Sequence, residues 1–215
     1  MQEITQEQFA QEIKTFEGLC NKAQTDLESY INECEDLKLK EKLEKRFKDF
    51  EKFVDFVIHG TNFINAPAST KFHLCIPHGT LIHSNSVTKT LIKLSIALGC
   101  NIPLYKLIMV GMFHDLGKHD DYIVNEPTEK QKQYGYKANP PYLFNSNNEY
   151  MEHEAQSVYL ISKYVDLDED EFIAILYHNS PWDGVTKPAF KKNKLMTLLN
   201  YADYYSCLYL EDRPD

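Results

Sequence analysis

A chain of 215 residues with 43% hydrophobic and 13% aromatic residues can bury a sizeable core, as one large domain or as one domain with an appendage. Its formal net charge of -9 argues against a protein that coats nucleic acid, duplex DNA included, through a general basic surface. Five scattered cysteines (Cys20, Cys34, Cys75, Cys100, Cys207), odd in number and without CxxC spacing, read as reduced thiols in a cytoplasmic protein.

The opening MQEITQEQF has neither a basic stretch nor an apolar run, so no secretory signal is expected, and the apolar runs are too short for a membrane span. Residues 5–59 are rich in Glu and Lys, lack Pro and contain one Gly. Thr5 followed by Gln8 predicts a capping box. Phe9, Ile13, Phe16, Leu19, Ala23, Leu27 and Ile31 then recur every three or four residues, the period of an amphipathic helix. Leu39, Leu43, Phe47, Phe50, Val54 and Val57 form a second stripe. The two predict a helical hairpin over residues 1–62 that serves packing or dimerisation, with the intervening charges as its solvated face. A coiled-coil arm is the weaker alternative, since the heptads are Phe-rich and imperfect.

Residues 60–79 are a connector of Asn, Pro, Ala, Ser and Thr. A third helix is expected over 80–98, with Val87, Thr90, Leu91, Leu94 and Leu98 on one face and Gly99 at its end. Pro103 suits the first turn of a fourth, which ends at Gly117. A polar, aromatic loop covers 119–150, and further helices are expected at 152–165, 168–178 and 194–210. No strand-like alternation is persuasive, and there is no internal repeat. The fold class is therefore all-α, a helical bundle over residues 63–215 preceded by the hairpin.

The ionisable residues on these helices carry the chemistry. Asp203 shares a stripe with Met196, Leu199, Cys207 and Leu210, and Asp115 shares one with Leu104, Ile108 and Gly111. A carboxylate on a buried stripe costs several kcal/mol unless its charge is compensated. Asp115 also sits at a helix C-terminus, where the dipole disfavours an anion. Neither stripe holds a Lys or Arg, so a metal ion is the expected source of positive charge. His83 continues the stripe of Val87, Thr90 and Leu94, His178 follows Ala174 and Ile175, and His153 opens its helix on the side of Leu160 and Tyr164. Adjacent His114 and Asp115 point about 100° apart on a helix and can both reach a bundle axis. Imidazoles with carboxylates suit Mn, Fe, Co, Ni or Zn rather than Ca. Any one of these histidines alone is more often a hydrogen-bonded core residue, and a buried Asp can cap a helix; the combination carries the argument.

The order His83, His114-Asp115, His153, His178, Asp203 resembles the H…HD…H…H…D signature of the HD superfamily of metal-dependent phosphohydrolases. Phe113-His114-Asp115-Leu116-Gly117-Lys118 is similar to its central HDxGK motif, Gly79 to Ser84 to its first helix opening, and Asn200 to Asp203 to its final helix. The resemblance covers roughly residues 75–210, is closest to small stand-alone bacterial and phage members, and leaves the hairpin outside. It implies a helical bundle holding two divalent metals: His83, His114, Asp115 and Asp203 at the first, with Asp115 bridging to a second held by His153 and His178. Such a pair can generate a bridging hydroxide and neutralise a phosphoryl transition state. Asp115 and Lys118 would be the catalytic residues, Lys118 as a phosphate contact or else an ordinary cation near a helix C-terminus. The chain lacks the GYP motif of cyclic-dinucleotide phosphodiesterases and the nucleic-acid-binding barrel of HD exoribonucleases.

The expected activity is hydrolysis of a phosphoester in a nucleotide or short oligonucleotide. The alternatives are a mixed-valent di-iron oxygenase of the same superfamily and a non-catalytic nucleotide-binding module. His73, His78 and His119 flank the motifs and are expected at the surface, with His78 also placed to stand near the pocket. Tyr134, Tyr136, Asn139, Pro140 and Tyr142 are placed to stack a base or simply to pack, and Trp182, Asp183 and Gly184 to line the mouth of the cavity.

Overall fold

The structure, a computed structural model, describes residues 3–148, 151–179 and 193–211. It is mostly helical. Helix α1 (Gln6–Glu33) starts at the expected capping box, in which Thr5 and Gln8 satisfy each other's backbone N–H groups. Helix α2 (Leu37–Gly60) starts at Asp36, whose carboxylate accepts from the amides of Lys38 and Leu39. The two pack as a hairpin. Their buried faces are Phe16, Leu19, Cys20, Ala23 and Leu27 on α1 and Leu43, Phe50, Phe53 and Val57 on α2. Leu39, expected on the inner stripe, is exposed, and Phe53, which the stripe omitted, is fully buried.

Helix α3 (Gly79–Ala97) and helix α4 (Leu104–Phe113) share one hydrophobic core with the hairpin. Phe113 marks the join. Its ring has Phe53 at 4.8 Å, Phe16 at 6.2 Å and Phe50 and Phe63 at 6.3 Å between centroids. Aromatic pairs of this kind add about 0.5–1.5 kcal/mol beyond the area they bury. The hairpin thus anchors the residue that immediately precedes His114.

Pro103 caps α4 from outside, and the α-helix stops at Phe113, short of Gly117. Asp115, at φ -102° and ψ 16°, leaves the helical path, and a 3-10 turn (Leu116–Asp120) follows. The loop beyond contains an antiparallel pair of short strands, β1 (Tyr122–Val124) and β2 (Tyr142–Phe144), with Tyr122 opposite Phe144. Three residues are too few to reveal alternation in sequence. A one-and-a-half-turn helix, α5 (Glu129–Gln133), lies between them.

Helix α6 (His153–Ser162) and helix α7 (Glu169–Leu176) follow, and helix α8 (Lys194–Tyr205) continues into a π turn (Ser206–Leu210). Helix α7 is tied to the hairpin by a bidentate pair between Arg46 and the fully buried Glu171, at 2.8 and 2.5 Å. No helix among the described residues is long and apolar enough to cross a membrane. Cys20, Cys34, Cys75 and Cys100 are free thiols.

Candidate metal centre

The side chains of His83, His114, Asp115, His153, His178 and Asp203 converge on one place between α3, the α4 terminus, α6, the end of α7, and α8. Asp115 is central. Its Oδ1 lies 3.3 Å from Nε2 of His153 and 3.3 Å from Nε2 of His178. Its Oδ2 lies 3.5 Å from Nε2 of His83 and 3.6 Å from Nε2 of His114. His83 Nε2 is also 3.2 Å from Asp203 Oδ1. His83, His114, Asp115 and His178 are buried, whereas the side chains of His153 and Asp203 are partly exposed.

Each element presents its residue for a local reason. Gly117 lies against the first turn of α6, where a Cβ would meet the carbonyl oxygen of His153 at 2.2 Å. Its N–H donates to Ser157 Oγ at 2.8 Å, and that hydroxyl donates to the same His153 carbonyl at 2.8 Å. A side chain at 117 would therefore push His153 away from Asp115. Gly79 plays the same part for α3, with Leu74 O and Ala68 N at 2.1 and 2.6 Å from where its Cβ would stand.

The imidazoles are oriented by what their other nitrogen does. His114 Nδ1 donates to Gly111 O at 3.0 Å and His178 Nδ1 to Ile175 O at 2.7 Å. A carbonyl can only accept, so both rings turn a lone pair inward at Nε2 when neutral. His83 Nδ1 faces Glu211 Oε1 at 2.9 Å, the carboxylate–histidine arrangement that orients metal ligands. The Nε2 atoms of His83 and His114 then face each other at 3.3 Å. Two lone pairs at that distance repel unless a cation, whether proton or metal, lies between them. His153 is held differently, with Nδ1 3.4 Å from Glu154 Oε2 and Nε2 accepting from the Asn179 amide at 3.0 Å.

The charge states follow the same geometry. Burial lowers the affinity of His83 for a proton, but Glu211 and Asp203 outweigh this and push its pKa up to about 10. For His114 burial prevails and holds it down to about 3. Burial opposes the charge on Asp115 and Asp203 too. Lys118 and His114 nonetheless hold Asp115 well below the usual carboxylate range, and His83 does the same for Asp203. The expectation that only a metal compensates Asp115 needs correction. Lys118, on the 3-10 turn rather than on the α4 stripe, places Nζ 2.7 Å from Asp115 Oδ2. Oδ1 is buried, and among the described residues it has no hydrogen-bond partner.

The donor chemistry fits a divalent transition metal. His83, His114 and Asp203 form one group able to hold an ion, and His114, Asp115 and His178 form another. No family model, no curated protein and no solved structure matches this chain.

Its His153 and Lys118 side opens onto a cleft of about 1130 Å³, whose walls include Lys71, Phe72, Tyr122, Phe144, Asn145 and Asn148. Pro140 and Tyr142 line it as well, while Tyr134 and Tyr136 are exposed and stack on each other at 6.2 Å. His78 lies away from the centre, stacked on Phe9 at 4.0 Å with Nδ1 against Ile64 O. His119 pairs with Asp120. Trp182, Asp183 and Gly184 lie outside the described residues.

Four residues at the centre escaped the sequence reading as participants. Glu154 and Asn179 contact His153, Glu211 contacts His83, and His73, expected at the surface, has its ring 5.0 Å from that of His83. Glu154 was legible as a neighbour of His153. Glu211 and His73 carry no periodic signal.

Proposed function

We propose that the chain is a phosphohydrolase of the HD superfamily, acting on a phosphoester of a nucleotide or short oligonucleotide. In this reading His83, His114, Asp115, His153, His178 and Asp203 hold two divalent transition metals. The observation that carries it is the two-sided use of Asp115, with one carboxylate oxygen facing His153 and His178 and the other facing His83 and His114. That is the arrangement a carboxylate bridging two ions requires, and Oδ1, without a hydrogen-bond partner among the described residues, is the atom such an ion would satisfy. Bound there, the metals would supply Lewis acidity toward water and toward a phosphoryl oxygen.

The protein's own groups do the rest. Gly111 O, Ile175 O and Glu211 fix three imidazoles by their Nδ1 atoms, so the ligand face is set before substrate arrives. Lys118 lines the cleft beside Asp115 and is the group positioned to meet a phosphoryl oxygen as charge develops. Lys71 adds a second positive charge to the wall, and Phe72, Tyr122, Tyr142 and Phe144 offer ring faces for a base. The cleft volume suits a nucleotide-sized ligand.

Protein loaded separately with Mn, Fe, Co and Ni and incubated with nucleotides and generic phosphodiesters tests the reading. At least one metal form should release product, and Lys118→Ala should lower kcat on the order of 10²-fold while retaining metal. Inactivity of every metal-replete form across the panel would overturn it.

A further inference from the structure

We propose that His73, Cys207 and Glu211 form a third metal site, for a thiolate-accepting divalent cation such as zinc. It lies beside the His83–Asp203 edge of the centre and touches it twice, through Glu211 Oε1 at 2.9 Å from His83 Nδ1 and through Cys207 Sγ, which donates to Asp203 Oδ1 at 3.4 Å.

The two separations from His73 are close to those within a coordination shell. His73 Nε2 is 3.5 Å from Cys207 Sγ and 3.7 Å from Glu211 Oε2. Nitrogen, sulfur and oxygen donors held tetrahedrally at zinc distances stand about 3.3–3.6 Å from one another. These three ligand atoms, together with a ring nitrogen of His83, all lie within 4.8 Å of one another. The mixed imidazole, thiolate and carboxylate set favours zinc over magnesium or calcium.

A second observation points the same way. The Glu211 side chain is 2% exposed, and its two oxygens have different fates. Oε1 receives His83 Nδ1 at 2.9 Å, whereas Oε2 is buried without a hydrogen-bond partner among the described residues. An unsatisfied buried carboxylate oxygen is costly. Oε2 faces His73, where an ion coordinated by the three donors would satisfy it.

The chain builds the site from two places. Cys207 and Glu211 come from the π turn and the residue that closes it, and π turns concentrate at functional sites. His73 comes from the connector before α3, where Ser69 Oγ donates to its carbonyl at 2.7 Å and holds the loop. His73 also lines the cleft, so a fourth coordination position is open to water from there. Glu211 then serves two sites at once, orienting His83 through Oε1 and binding the third ion through Oε2.

Cobalt added to chelator-stripped, full-length protein reads the site directly, because thiolate bound to cobalt(II) gives a near-ultraviolet charge-transfer absorption that imidazole and carboxylate do not. The wild-type chain should show this absorption, and added zinc should bleach it. Cys207→Ser should abolish it, and His73→Ala should weaken the cobalt binding it reports by about 10–100-fold. Asp115→Asn should retain it, which separates this site from the main centre. No charge-transfer absorption in the wild-type chain, or the same absorption in Cys207→Ser, would overturn the proposal. Absence of the absorption in the wild-type chain overturns the proposal even if a variant fails to fold.

Discussion

Replacing Gly117 by alanine perturbs the centre without touching a ligand. The added Cβ would stand 2.2 Å from the carbonyl oxygen of His153, 2.9 Å from its carbon and 3.0 Å from Gln156 Cβ. The first two are helix backbone and cannot swing aside, so the first turn of α6 must retreat by about 1 Å to restore ordinary contact. Overpacking of this kind costs about 1–3 kcal/mol. For a chain of this size that is a fall in Tm of about 2–12 °C. His153 rides on the displaced turn, and its Nε2 starts only 3.3 Å from Asp115 Oδ1. Metal affinity should therefore weaken by about 10–100-fold, as when an outer support of a metal ligand is lost. Thermal circular dichroism and calorimetric titration with Mn on both proteins give the two numbers. A Gly117→Ala protein that melts and binds Mn like wild type would refute the claim that this glycine positions His153.

Three further outcomes are expected. Arg46→Met leaves Glu171, whose side chain is 0% exposed, charged and unpaired, and should cost about 3–5 kcal/mol in urea denaturation. Adding Glu171→Leu should recover most of that, and a loss confined to the double variant would contradict the reasoning. Burial pushes the carboxyl of Asp121 from 3.8 up to about 6. An acid raised on folding contributes stability that is complete below its unfolded pKa and is lost as pH climbs through its folded one. Asp121→Asn should therefore raise Tm at neutral pH and change it little near pH 4; an equal gain at both would show that charge is not the cause. Finally, metal at 100 times its Kd should add about 2.7 kcal/mol per site, or about 5–11 °C in Tm, reversed by a chelator. A chelator-insensitive melting curve would speak against metal binding.

The bundle was legible because its periods are long and clean. Thr5 with Gln8, and the α1 stripe from Phe16 to Leu27, needed only local rules. The convergence of the six side chains was legible for a related reason. Polar residues on apolar stripes have to meet something. What escaped has no local signature. Phe53 is at the centre of the core because α2 rotates to pack against Phe113, a contact between residues sixty apart. His73 lies in a connector without periodicity, and Glu211 lies past a π turn that shifts the register set by Asp203 and Cys207. Lys118 reaches Asp115 because α4 ends early and the chain tightens into a 3-10 turn, a change no hydrophobic pattern records.

Diffraction from crystals grown with Mn, Fe, Co or Ni, recorded on both sides of the metal's absorption edge, asks the central question outright. Two anomalous peaks flanking Asp115, one against His83, His114 and Asp203 and the other against His153 and His178, are the predicted result. The same six side chains well ordered, with no anomalous scattering among them, would contradict it.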